Sequence, residues 1–182
     1  MTGVSEPMQA LYEGDRERAQ RLLAERDEID VFEAAAFGRV ERLRALLEAD
    51  SELAKAFSTD GFTALHFAAF FAQPDAAELL LRRGADPRAR AQNPMKVEPL
   101  HSAAAAGQTE ISRMLLDAGA DPNAKQERGF VALHAAAQSG NAELAELLLE
   151  RGADTTLASD DGSTSGMIAR EAEHDQLADS LA

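Results

Sequence analysis

Three histidines recur at nearly equal intervals, and they are the residues of this chain best suited to chemistry. His66, His101 and His134 are separated by 35 and 33 residues. An imidazole nitrogen can bind zinc at about 2 Å or act as a general base near neutral pH. Whether the three rings could share a metal depends on the spacing of the elements that carry them.

Other catalytic patterns are absent from the sequence. It contains no H-E-x-x-H, no G-x-S-x-G and no glycine-rich phosphate loop. The acid pairs Asp27-Glu28 and Asp160-Asp161 have no neighbouring base or apolar run that would perturb them. We therefore predict that the protein is not an enzyme and uses no cofactor or metal.

Charge and composition narrow the classes of partner. The 182 residues include 18 Lys and Arg against 32 Asp and Glu, a net charge of −14. This sign repels phosphate backbones and anionic lipids, so we expect no nucleic-acid partner and no membrane partner. With no Cys, no long apolar stretch and no leader-like start, the sequence predicts a cytoplasmic protein.

Two short sequence motifs repeat along the chain with one common period. A-L-H or P-L-H ends at each of the three histidines, and G-A-D begins at Gly84, Gly119 and Gly152, again 35 and 33 residues apart. Two unrelated words that share a period indicate tandem structural repeats.

Each repeat contains the signals for two helices and a loop. Thr63 or Pro99 can begin an Ala-rich first helix, because a hydroxyl caps a helix and proline suits its first turn. A second, Leu-rich helix is expected to stop at the glycine of G-A-D in the left-handed conformation. An Asp-Pro or similar turn then leads into a long loop.

The words T-A-L-H-F-A, E-P-L-H-S-A and V-A-L-H-A-A resemble the T-P-L-H-x-A signature of the ankyrin-repeat family. The resemblance implies an all-α ankyrin-repeat solenoid of about six stacked helix-turn-helix units with protruding loops, and degenerate caps at both ends. It covers nearly the whole chain and predicts a single domain over residues 1–182. The units are expected at about 6–26, 30–57, 58–90, 93–125, 126–158 and 159–182.

This resemblance also suggests what the repeated residues do. Stacked helices lie about 8–10 Å apart, so His66 and His134 should be roughly 20 Å from each other and cannot share a metal. In the family this histidine hydrogen-bonds the backbone of the adjoining loop. A structural role is therefore expected for His66, His101, His134, Gly84, Gly119 and Gly152.

The chain contains more aromatic residues than the repeat pattern requires. On the ankyrin template Phe62, Phe70 and Phe71 of the third unit face the concave groove, as do Phe130 and Gln138 of the fifth. Exposed aromatic patches mark interaction sites, so these residues are predicted to bind a partner. The alternative is that some of these rings, including one of Phe70 and Phe71, pack as core.

The loop from Asp86 to His101 is two residues longer than its counterparts, and Lys96 occupies the place of the family glycine. The sequence therefore predicts a bulged loop in which the tight glycine turn is lost. Its basic and apolar side chains are predicted to contact the partner, unless the insertion is only a tolerated surface loop. These side chains are Arg88, Arg90, Met95, Lys96 and Val97.

The function predicted is a non-catalytic interaction module, an adaptor or regulator that binds an unknown protein through the groove and loop tips. We expect it to be a monomer. One alternative is an acidic protein that neutralises or inhibits a basic or nucleic-acid-binding enzyme, which predicts strongly salt-dependent affinity. Another is a self-associating structural module, which predicts a closed dimer.

Overall fold

The computed structural model describes residues 4–182 and is built from helices. Two short 3₁₀ turns, Ser51–Ala54 and Glu127–Gly129, lie in loops, and within residues 4–182 there is no strand beyond two isolated bridges. The predicted all-α class is confirmed. The α-helices are α1 (Glu6–Tyr12), α2 (Arg16–Ala24), α3 (Val31–Ala36), α4 (Val40–Ala49), α5 (Ala64–Phe70), α6 (Pro74–Arg82), α7 (Pro99–Ala105), α8 (Thr109–Asp117), α9 (Ala132–Ser139), α10 (Ala142–Glu150), α11 (Ser165–Glu171) and α12 (Asp175–Ser180).

Local sequence explains where the helices begin. Proline occupies the first turn of α6 and of α7, where its missing N–H is no loss. Before α3, the Asp30 carboxylate accepts from the N–H of Glu33, and the Glu33 carboxylate accepts from the N–H of Asp30. Such a capping box satisfies two backbone donors that the helix itself leaves open.

Helices α6, α8 and α10 end at the G-A-D glycines. Gly84, Gly119 and Gly152 have φ values of 85°, 98° and 88°, the left-handed region that L side chains avoid. After α6 the N–H of Gly84 donates to the carbonyl of Leu81. This geometry is the glycine stop that the repeat pattern predicts.

The odd-numbered helices form one layer and the even-numbered helices another. The inner helices α1, α3, α5, α7, α9 and α11 pack in sequence, each on the next, and α4, α6, α8 and α10 pack in the same way outside them. Alanines of the inner layer, such as Ala68, Ala103 and Ala136, are fully or almost fully buried. Their small side chains allow neighbouring units to approach closely.

Four long loops, here called fingers, precede the last four inner helices. They are the α5 finger (50–63), the α7 finger (83–98), the α9 finger (118–131) and the α11 finger (151–164). By contrast, α2 connects to α3 through the short loop 25–30. The N-terminal helix pair is therefore followed by no finger.

Backbone hydrogen bonds connect each finger to the next. The N–H of Gln92 donates to the carbonyl of Gly61 at 2.8 Å, and the N–H of Glu127 donates to the carbonyl of Met95 at 3.1 Å. The third bond runs from Asp160 to Arg128. The fingers consequently form a continuous wall beside the inner helices.

Candidate functional site

A groove lies between the inner helices and the finger wall. It encloses about 550 Å³ and is lined from Tyr12 in α1 to Ser139 at the end of α9. Its lining includes seven of the predicted partner contacts: Phe62, Phe70, Phe71, Met95, Val97, Phe130 and Gln138. The fold thus brings together residues that are up to 76 positions apart in the sequence.

Exposure separates these residues into two groups. Phe70 and Met95 are 46 % and 55 % exposed, whereas Phe71 and Val97 are only 7 % and 5 % exposed. The alternative that one of Phe70 and Phe71 packs as core therefore applies to Phe71, and Val97 likewise leaves little surface for a partner to contact. Phe62 and Phe130 are half-buried.

Phe71 is buried because the N-terminal cap needs a large apolar side chain to pack against. Its ring lies 5.9 Å from that of Tyr12, and it belongs to a cluster with Met8, Leu11 and Phe37. Aromatic rings at this separation attract each other and bury a large apolar area. Phe71 therefore attaches α1 to α5.

Phe62 and Phe130 form part of the groove floor. The Phe62 ring packs against Phe67 at 5.7 Å and against His66 at 5.6 Å, and the Phe130 ring lies 5.2 Å from His134. Each phenylalanine therefore covers a buried histidine and presents its remaining surface to the groove.

The rings of His66 and His101 form hydrogen bonds with backbone groups through both nitrogens. The N–H of Thr63 donates to His66 Nδ1 at 3.2 Å, so the ring proton lies on Nε2, which donates to the carbonyl of Val97 at 3.0 Å. His101 repeats the pattern, with Nε2 2.9 Å from the carbonyl of Ala124. Burial lowers the pKa of His66 to about 4 and also lowers the pKa of His101, so both rings are neutral.

His134 departs from the pattern. Its Nδ1 accepts from the N–H of Val131 at 3.0 Å, but its Nε2 is buried and has no hydrogen-bond partner within residues 4–182. The loop bond expected for all three histidines is thus present for His66 and His101 and missing for His134. Burial lowers the pKa of His134, and the carbonyl of Leu157 in the α11 finger counteracts part of this effect.

The basic residues of the α7 finger lie outside the groove lining. Arg88 Nε donates to the carbonyl of Gly119 at 2.5 Å, and Arg90 donates to the carbonyls of Lys96 and Lys125. Both guanidinium groups therefore attach one finger to the next. The structure assigns them a scaffold contact, which differs from the partner contact predicted for Arg88 and Arg90.

Lys96 retains the turn that its sequence was expected to lose. Its φ is 50°, and the equivalent residues Gly61, Gly129 and Gly162 have φ of 84°, 74° and 88°. The hydrogen bonds on both sides of the finger hold the backbone in the left-handed region although lysine disfavours it. The Lys96 ammonium lies 3.6 Å from Glu127, on the neighbouring finger.

Tyr12 is a groove residue that the predicted site set does not include. It is 42 % exposed, and its hydroxyl donates to the carboxylate of Asp60 at 2.7 Å. Burial, together with the hydrogen bond and charge of Asp60, raises the pKa of this phenol, so it stays protonated. The only sequence signal was its register, equivalent to Phe37 and Phe70.

Comparison with protein families gives the class of protein. A model described as ankyrin repeats (3 copies) matches residues 88–159, and one described as ankyrin repeats (many copies) matches residues 31–81. Together they cover more than half of the chain, which belongs to the ankyrin-repeat family. A search of curated proteins finds no match.

Ankyrin repeats are generally protein–protein interaction modules, and proteins built from them are typically non-catalytic. Among the helices of residues 4–182, none is long and apolar enough to cross a membrane. The family, the repeats and a protein-binding role thus agree with the sequence prediction.

Proposed function

We propose that the chain is an adaptor or regulator that binds a partner protein in the groove between its inner helices and fingers. One observation carries the proposal. Over residues 4–182 five large hydrophobic side chains are exposed, and three of them, Tyr12, Phe70 and Met95, line this one groove. Clustered exposed apolar side chains mark binding sites.

The groove is also preorganised. The inner helices are fixed by buried alanines, and the finger wall is held by backbone hydrogen bonds from Gln92 and Glu127 to the preceding fingers. A surface that is already ordered loses little conformational entropy on binding. Aromatic anchors such as Phe70 then contribute most of the affinity, about 2 kcal/mol or more each at hot spots.

Phe70 and Met167 give a matched pair of variants for the test. Both are exposed large hydrophobics, but Phe70 lines the groove, whereas Met167 lies in α11 outside it. Affinity capture from native lysate with quantitative mass spectrometry would compare wild type, Phe70→Ser and Met167→Ser. We expect some proteins to be captured by wild type and by Met167→Ser but not by Phe70→Ser.

Identical capture by all three proteins would contradict the groove proposal. Repeating the capture across salt concentrations separates the alternative classes, because an acidic inhibitor of a basic enzyme would lose its partner as salt rises. Light scattering over a range of concentrations would reveal a closed dimer if the groove is self-complementary.

A further inference from the structure

The lining of the groove carries no charge. Charged residues make up 27 % of the chain, but no Asp, Glu, Lys or Arg contributes to the lining. The two histidines in it, His66 and His101, have both ring nitrogens hydrogen-bonded to the protein. A charged side chain that entered this space would lose part of its hydration without gaining an ionic partner, which is unfavourable.

The character of the lining changes along the solenoid. The repeat places Tyr12, Phe70, Ala105 and Gln138 at equivalent positions near the ends of α1, α5, α7 and α9, whereas Phe37 at the end of α3 is buried. Phe70 and Ala105 both line the groove and are exposed, and the alanine occupies much less of it than the phenylalanine does. The space above Ala105 is therefore bordered by apolar side chains.

The two ends of the groove differ. At the N-terminal end the hydroxyl of Tyr12 reaches Asp60 at the tip of the α5 finger, 2.7 Å away, and bridges the helix layer and the finger wall. At the other end, the residue equivalent to Gln138 in the next unit is Glu171, which is exposed. The C-terminal segment 126–182 carries 11 acidic and 3 basic residues.

We infer that the groove binds a partner segment whose central residues are apolar and uncharged, with basic side chains on the flank that leaves the groove toward Glu171. This inference rests on the proposed function and specifies the partner of that same site. The Tyr12–Asp60 hydrogen bond spans the N-terminal end of the groove, so the segment extends from Phe70 toward the C-terminal cap. Gln126 and Gln138 offer amide groups that can donate to and accept from its backbone.

A display selection tests this chemistry without a known partner. The probe is a phage library of random twelve-residue peptides, selected on the wild-type protein and counter-selected on Phe70→Ser. We expect the enriched peptides to share a run of apolar, uncharged residues with Lys or Arg beyond one end of it. Enriched groove-dependent peptides with an essential charge inside that run would overturn the inference while leaving the proposed function intact.

Fluorescence anisotropy then measures the affinity of one enriched peptide for three variants of the protein. Ala105→Glu places a carboxylate in the groove and should weaken binding about tenfold or more. Ala118→Glu, which adds the same charge at the exposed end of α8, should leave it unchanged. Glu171→Gln should weaken binding about two- to fivefold in low salt and have no effect in high salt.

Full binding by Ala105→Glu would overturn the inference, provided that its circular dichroism spectrum and melting temperature match those of Ala118→Glu. The same holds for Glu171→Gln if its affinity equals that of wild type in low salt. If all selected peptides bind Phe70→Ser as tightly as wild type, the groove itself is not the site, and the proposed function fails with the inference.

Discussion

The Nε2–H of His66 donates a 3.0 Å hydrogen bond to the carbonyl of Val97, which joins helix α5 to the finger of the following unit. His101 makes the same connection to Ala124 one unit further along. These two residues therefore couple neighbouring repeats through buried, neutral rings. Their contribution should appear in stability, with no role in chemistry.

The substitution His101→Ala should lower the free energy of unfolding by about 1–3 kcal/mol, because the carbonyl of Ala124 and the N–H of Glu98 both lose a buried partner. Urea denaturation measures the change. His134→Ala is the control and should cost less, since its Nε2 makes no hydrogen bond in the described part of the chain. A transition metal bound by wild type and lost in a folded His101→Ala variant would contradict this role.

Stability should fall as the pH falls from about 6.5 toward 4. His66 has an ordinary pKa of 6.5 and a folded-state pKa of about 4, so in this window the unfolded chain binds a proton that the folded protein does not. The stabilisation is complete above the ordinary pKa and lost as the pH drops, by about 3 kcal/mol for this residue. Urea midpoints at pH 7.5 and 5.5 check the slope.

In the variant His66→Gln the side chain does not titrate, so the loss of stability between pH 7.5 and 5.5 should become smaller. A slope identical to that of wild type would show that other groups cause it.

Phe70 and Phe71 are neighbours in sequence but should behave differently when replaced. Phe70→Ser removes an exposed ring and should leave the melting temperature nearly unchanged while weakening partner binding. Phe71→Ser should destabilise the protein by about 3–5 kcal/mol, because its ring fills the N-terminal cluster. Thermal unfolding measures the melting temperatures of both variants. Equal melting temperatures would contradict the assignment of Phe70 to the surface and Phe71 to the core.

Lys96→Gly should stabilise the protein by about 1 kcal/mol, since glycine adopts a φ of 50° without the steric cost that lysine bears there. The reverse test is Gly129→Ala, which should destabilise it, because an added Cβ would lie 2.8 Å from Asp160 Oδ1. Chemical denaturation of the two variants measures both signs. A Lys96→Gly variant less stable than wild type would show that the Lys96–Glu127 contact outweighs the backbone strain.

The sequence by itself determined the repeat, the helix pairs and their limits. These depend on local signals, such as Pro99 at a helix start and Gly84 at a helix stop, which act within a few residues and recur with the period. The register of the groove could be predicted for the same reason, because Phe70 and Gln138 occupy equivalent positions of a repeated unit. Their binding role remains a prediction.

Only the tertiary structure decided which of these side chains are available. The burial of Phe71 depends on Met8 and Leu11, which are distant in sequence, and the Tyr12–Asp60 bond spans 48 residues. The sequence predicts that Arg88 and Arg90 contact a partner, whereas the structure places their guanidinium groups against carbonyl groups of the next finger. In each case the outcome depends on contacts between units, which a pattern within one unit does not contain.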